Sequence, residues 1–240
     1  LGMFITTFAG TKERYKPIKK ETTAKKKTHP LKTIKILCRN KYFILITLAF
    51  AVIYTSLGLT GGSRIYYAKY VLGDEMLNST MTMFNYIPTI LTIMLIPVFT
   101  KRFGKIKALF VGFLFYAAGL VLEIAGPVNL PMIYTGLVLQ GIGHAALYSC
   151  LFAIVGDVVD YSEWKDGIRE EGITYSVTSF GQKIGTGLGT AALGWILAAG
   201  HYDGTAAVQS ASAIFAIKGL FLYLPLVITC LLYTSPSPRD

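Results

Sequence analysis

Long apolar runs alternate along this chain with short polar or basic segments, a pattern that a soluble core does not require. Five runs are long enough to cross a bilayer as helices: Tyr42 to Leu59, Thr80 to Phe99, Ala108 to Ala125, Met132 to Val155 and Ile173 to Leu197. A sixth, Gly219 to Tyr233, reaches only about 22 Å at 1.5 Å per residue, against a hydrocarbon core of about 30 Å. Leu1 to Gly10 reads as the end of one more span. Strand-like alternation is absent, so the pattern predicts an all-α polytopic membrane protein and not a barrel.

Composition agrees. The mean hydropathy is +0.52 and charged residues make up 15% of the chain, where soluble domains carry about 25%. The formal net charge of +10 raises the question of nucleic acid, and the placement of the charge answers it. Thr11 to Lys41 holds about half of the 23 Lys and Arg residues, and Lys101, Arg102, Lys105 and Lys107 form the next basic loop. The segments GPVNLP and HYDGTAAVQS have none, and the loop expected after Leu59 has only Arg64 and Lys69. Such alternation is the positive-inside signature, so the Lys-rich loops are expected to be cytoplasmic in a multi-pass inner-membrane protein. The basic run lacks the interleaved aromatics of a nucleic-acid surface.

Thr11 to Lys41 therefore reads as a cytoplasmic connector, ending in a short interfacial helix with Leu31, Ile34 and Leu37 opposite Lys32, Lys35 and Arg39. Cys38, Cys150 and Cys230 lie far apart, as do His29, His144 and His201, which argues against a disulfide framework or a metal site. No cofactor is expected. An enzyme would need a nucleophile and base in register. His144 with Ser149 or Cys150 is the candidate pair, and offsets of five and six do not bring those side chains together on a helix.

Lys183 carries the most information. It lies in the middle of the Ile173 to Leu197 run, where insertion scales charge about 2.5–3.5 kcal/mol for a lysine, and such residues usually mark a substrate or ion path. On a helix, Ser179, Lys183, Thr186 and Thr190 share an arc of about 60°, while Gly181, Gly185 and Gly189 form a stripe about 130° away. Glycines four apart let a second helix approach closely. One face is thus expected to pack, and the other to present hydroxyls around a cation.

Gln140, His144 and Tyr148 recur every four residues and share a face of their own helix. Two readings stay open for them, an interhelical hydrogen-bond stripe and a sugar-facing stripe. Glu123, near the outer end of its run, reads as interfacial. Asn85, in the same run as Pro88 and Pro97, is a weak marker of a kinked pore-side helix.

The segment GDVVDYSEWKDGIREEGITYSVTSFGQKIG resembles the signature region of the melibiose permease-like glycoside–pentoside–hexuronide:cation symporters, within the major facilitator superfamily. NKYF, YYAKYVLGDE, KRFGKIK and IKGLFLYLP are similar to further family segments and occur in the family's order. The resemblance implies the carboxyl-terminal half of such a transporter. Residues 1–10 would end a sixth helix, 11–41 connect, and 42–233 form six helices with the last truncated. Residues 234–240 would be a non-native tail. The amino-terminal six-helix half would be a missing partner. Leu1 and the short last run both point to a fragment, unable to transport alone.

The resemblance also implies roles. Lys183 matches the family lysine near the cation and sugar sites, Tyr148 stands where the family has a tryptophan close to the sugar, and Thr178 and Ser179 neighbour cavity-lining positions. Together with Gln140, His144 and Thr186 these make up the expected site lining. Asp157, Asp160, Glu163 and Arg169 resemble the charged loop that helps to close the cytoplasmic side. The ligands of a coupling Na+ or H+ are expected in the amino-terminal half. The implied activity is cation-coupled uptake of a sugar or glycoside by alternating access. A facilitator of the same fold for a lipid, a drug or an anionic metabolite, with Lys183 binding a carboxylate, remains the alternative.

Overall fold

A computed structural model describes residues 10, 41–166, 171–206 and 208–234. The chain divides into two units, Leu1–Thr33 and Ile34–Asp240, and the membrane-length helices among the described residues belong to the second. Regular structure among the described residues is helical throughout: α1 (Lys41–Tyr70), α2 (Leu77–Phe103), α3 (Lys105–Ala125), α4 (Leu130–Asp166) and α5 (Glu171–Ala199). A final run joins α6 (Ala211–Lys218), a π-helical stretch (Gly219–Tyr223) and α7 (Leu224–Thr234).

Several boundaries differ from those read off the sequence. Helix α1 continues past Leu59 to Tyr70, so Arg64 and Lys69 are helical, not parts of a loop. The charged residues from Asp157 to Asp166 likewise lie in the last part of α4. The final helical run begins at Ala211, and its stretch Ala211–Leu231 has 21 residues, enough to cross a bilayer. Lys218, taken in the sequence as a boundary, sits inside that run. In each case the helix carries on into a polar turn, because backbone hydrogen bonding does not stop where hydropathy does.

Five stretches among the described residues are long and apolar enough to span a membrane, and α5 is not one of them. With 29 residues it has the length, but its glycines, threonines and Lys183 lower its hydropathy. Instead it is held by α1. Gly181, Gly185 and Gly189 face the carbonyls of Thr47, Ala51 and Thr55, in matching steps of four along two parallel helices. Gly58 of α1 answers from the other side, where a Cβ would come within 2.8 Å of the Thr186 carbonyl. Only hydrogen-sized side chains permit such backbone contact.

Helix α4 is the second organiser, packing against both α3 and α2. Gly112, Gly119, Gly136 and Gly143 make the α3–α4 seam close. Helix α2 contacts α4 through Asn85, whose Nδ2 donates to the Leu137 carbonyl at 3.2 Å. Asn85 is 3% exposed and belongs to this seam, so it marks helix packing and not a pore-side surface. Gly104 alone joins α2 to α3; at φ 88° it adopts a backbone conformation that other residues rarely tolerate.

Apolar packing concentrates at the two ends of the bundle. Phe43, Ile46, Phe50, Leu151, Val155 and Val158 pack near the end that carries Lys105. Leu59, Tyr67, Met81, Ile133, Leu137 and Ile217 pack toward the other. Polar residues lie buried between and beside these clusters: Ser56, Thr60, Arg64, Glu123, Gln140 and His144.

The seams give a direct test. A methyl group at Gly185 would collide with the Ala51 backbone, whereas at Gly187 it would meet nothing within 4 Å. Gly185→Ala is expected to lower stability by about 1–3 kcal/mol, and Gly187→Ala to leave it unchanged or slightly higher. Thermal unfolding of both variants in detergent reads the difference.

Candidate functional site

The face of α5 opposite the glycine stripe is open. Ser179, Lys183, Thr186 and Thr190 are all exposed, and a cleft of about 410 Å³ is lined by Tyr54, Gln182, Lys183, Thr186, Gly187 and Thr190. Its geometry is a result of the packing. Because the glycines must face α1, a residue about 130° around the helix must point away from it.

The hydroxyls here are already committed as donors. Thr186 Oγ1 donates to the Gln182 carbonyl at 3.0 Å, and Thr190 Oγ1 lies 3.1 Å from the Thr186 carbonyl and 3.0 Å from that of Gly187. Their lone pairs remain available as acceptors. The lining side chains that can still donate are the Lys183 ammonium, the Tyr54 hydroxyl and the Gln182 amide, whose Nε2 is buried without a partner. Among the described residues, the ion pairs are Lys69–Glu75 and Lys105–Asp157, so Lys183 faces the cleft with its charge unpaired.

Tyr54 supplies the aromatic wall. Its ring lies 6.1 Å from that of Tyr148, which stacks at 5.5 Å on His144, and His144 in turn lies 4.7 Å from Tyr116. Tyr148 thus stands one ring behind the cleft surface. His144 and Gln140 are 9% and 4% exposed and belong to the buried polar group between α3 and α4. Thr178, 1% exposed, lies on the packing face with Gly181 and Gly185, its hydroxyl bonded to the Thr174 carbonyl at 2.8 Å. The expected lining therefore separates into Lys183, Thr186 and Ser179 on the open face, Tyr148 behind it, Gln140 and His144 in the interior, and Thr178 in the helix seam.

Sequence reading missed Tyr54 and Gln182. Gln182 adjoins Lys183 and its amide could have been considered with it. Tyr54 is recognisable only once α1 is known to pair with α5.

At the Lys-rich end, Asp157 is bound by Lys105 of α3. The ammonium reaches both carboxylate oxygens, at 2.7 and 2.8 Å, and the Ala153 carbonyl at 3.2 Å, so its three donors have three acceptors. Asp160 and Glu163 are exposed on the last turns of α4. Arg169 lies outside the described residues. Glu123 is the clearest departure from expectation. It is 0% exposed, enclosed by α1 and α4, and not interfacial.

A mid-helix lysine thus lines an open cleft on a bundle of membrane-length helices, and comparison with known proteins decides the family. The MFS/sugar transport protein model matches residues 1–234. The chain belongs to that family. The glycoside–pentoside–hexuronide resemblance therefore holds, as does the all-α multi-pass membrane fold. Among relatives of this MFS/sugar transport protein, the isoprimeverose transporter of Lactiplantibacillus pentosus is 32% identical over 228 residues, covering 94% of this chain and 46% of that protein. A putative sulfoquinovose importer of Salmonella typhimurium is 32% identical over 183 residues, covering 75% and 38%. A glucuronide carrier protein homolog of Escherichia coli is 27% identical over 195 residues, covering 80% and 42%. The chain spans less than half the length of these relatives, which are named as transporters and not as enzymes.

The two faces of α5 are separable by chemistry. With the native cysteines replaced, Ser179→Cys and Thr190→Cys are expected to react with a hydrophilic maleimide in membranes, and Thr178→Cys to stay unlabelled until denaturation. Equal labelling at all three positions would mean that the open face and the seam are wrongly assigned.

Proposed function

We propose that this chain forms one wall of the substrate cavity in a cation-coupled sugar or glycoside transporter that works by alternating access. The observation that carries the reading is Lys183, an unpaired cation near the middle of α5, among hydroxyl acceptors and beside the Tyr54 ring. An ammonium at mid-span calls for a counter-charge in the assembled carrier. The remaining helices of the carrier would supply it as carboxylates that also hold the coupling Na+ or H+, whose affinity the lysine charge then tunes. Sugar hydroxyls would bridge the Lys183 ammonium and the threonine hydroxyl oxygens, with a pyranose face against Tyr54. Binding of cation and sugar would together favour the occluded state.

In this reading the Lys-rich end faces the cytoplasm, in a multi-pass inner-membrane protein. Asp157, Asp160, Glu163 and Arg169 form the gate there. Lys105 already holds Asp157, so opening would exchange partners at that carboxylate. Exposed pairs of this kind contribute only about 0–1 kcal/mol, small enough to be exchanged within a transport cycle.

A second reading is favoured by the same unpaired charge: an anionic sugar, carboxylated or sulfonated, could itself neutralise Lys183. Relatives named for a glucuronide and for sulfoquinovose are consistent with it.

Uptake by the full-length carrier in vesicles separates the readings. Lys183→Ala is expected to abolish accumulation against a gradient, with normal insertion into the membrane. If neutral glycosides are the cargo, they should drive counterflow and glucuronides should compete weakly; the reverse order supports the anionic reading. Accumulation undiminished in Lys183→Ala would end both.

A further inference from the structure

A buried carboxylate away from the cleft has no role in the proposed function. Glu123 of α3 is 0% exposed, and neither of its oxygens has a hydrogen-bond partner. Around it lie further buried polar atoms without partners, Arg64 Nε of α1 and Gln140 Nε2 of α4. Gln140 is within hydrogen-bonding reach of Glu123 and Arg64 within electrostatic range, although neither makes a hydrogen bond of ordinary geometry to it. The guanidinium is held to one side, with Nη1 donating to Thr82 Oγ1 of α2 at 3.3 Å.

The backbone is shaped around these side chains. A Cβ at Gly136 would fall 2.6 Å from Glu123 Cγ, and one at Gly119 would fall 2.9 Å from Gln140 Cγ. Each glycine leaves the space that the facing polar side chain occupies. The other titratable groups near Glu123 are Tyr67 from α1, Tyr116 on its own helix and, through Tyr67, Tyr223 of the π-helical stretch. Tyr86 of α2 and His144 of α4 adjoin Arg64. Glu123 is the carboxylate among them.

We propose that Glu123 is a proton-binding site, alternately protonated and paired with Arg64, and reached from the Lys183 cleft through His144.

Two ways of relieving the buried charge compete. An ionised carboxylate without donors in a membrane interior is strongly disfavoured. It can accept a proton, or it can close on a cation that cannot itself be neutralised, which an arginine provides. With Arg64 tied to Thr82 and out of contact, the arrangement favours the acid. A shift of α1 against α3 that brings the guanidinium onto Glu123 expels the proton to water. Reopening lets hydronium return one, leaving water and a neutral acid, so atoms and charge balance. Helix movement and proton uptake are thereby linked, and the link runs in both directions.

A metal cation fits the site poorly. One carboxylate and one amide provide few oxygens, and a guanidinium stands close by. Among the described residues no group of three or more His, Cys, Asp or Glu converges anywhere.

The proposed route to the cleft follows packed side chains. Gln140 precedes His144 by one helical turn, and the rings of His144, Tyr148 and Tyr54 lead in sequence to the cleft surface. Beside His144, a cavity of about 20 Å³ bounded by Ser56, Tyr116 and Thr229 has room for one water molecule.

The access route assumes the hydrated cleft of the proposed function; the proton site does not depend on cargo. Infrared spectra of the purified full-length carrier in lipid nanodiscs, recorded against pH, test the site directly. The expected signal is a protonated-carboxyl stretch that disappears as pH rises, shifts in D2O and is absent from Glu123→Gln. In Arg64→Gln the same band should persist to a pH at least one unit higher, because the competing charge is gone; this variant keeps the test valid if Glu123→Gln does not fold. His144→Phe should slow deuterium exchange at the band at least tenfold. Identical spectra in wild type and a folded Glu123→Gln, or a Glu123 band that does not titrate, would overturn the proton site. An unchanged band in Arg64→Gln would overturn the exchange with Arg64, and unaltered deuterium exchange in His144→Phe would overturn access from the cleft. Failure of the wild-type carrier to take up any sugar would count against the transport reading and leave the infrared result standing.

Discussion

The backbone contact between α1 and α5 determines how the cleft is built. Carbonyls of Thr47, Ala51 and Thr55 lie directly against glycine Cα atoms, so the two helices are closer than side chains of any size would allow. In lipid there is no hydrophobic drive to bring helices together, and such van der Waals contact is a main source of cohesion. It fixes the rotation of α5 about its own axis. Once that is fixed, Lys183 has no choice of direction. A helix too polar to be a comfortable span is retained because its neighbour packs on its glycine side, and its polar side becomes useful.

The same contact explains why some features could be read from the chain and others could not. The α5 faces were legible because both the glycine stripe and the Lys183 arc lie within one helix, where the 3.6-residue period converts spacing into direction. The family was legible from the Asp157 to Lys183 segment. Helix ends were not: the α1 residues Thr60 to Tyr70 and the α4 residues Gly156 to Asp166 are too polar to signal a span, yet both remain helical. Glu123 was misplaced for a related reason. Its nearness to the end of an apolar run suggested the interface, but the residues that enclose it stand on α1 and α4, and only packing brings them around it.

His144 and Gln140 illustrate a further limit. Their shared face was plain from the sequence, and which of two surroundings that face meets was not. The choice is made by Gly112, Gly119, Gly136 and Gly143, which draw α3 against α4 and enclose the stripe. Tyr148, one turn further on, escapes this enclosure enough to touch Tyr54. A single stripe thus changes character along its length, from enclosed polar groups to the ring behind the cleft surface.

The π-helical stretch between α6 and α7 has a mechanical meaning. Over Gly219–Tyr223 each turn holds more residues than an α-turn, and three successive side chains, Leu220, Phe221 and Leu222, are buried. Wide turns of this kind interrupt α-helices most often at functional sites. Here the hydrogen-bond register changes where the run is most enclosed, so α6 and α7 are not one continuous α-helical rod.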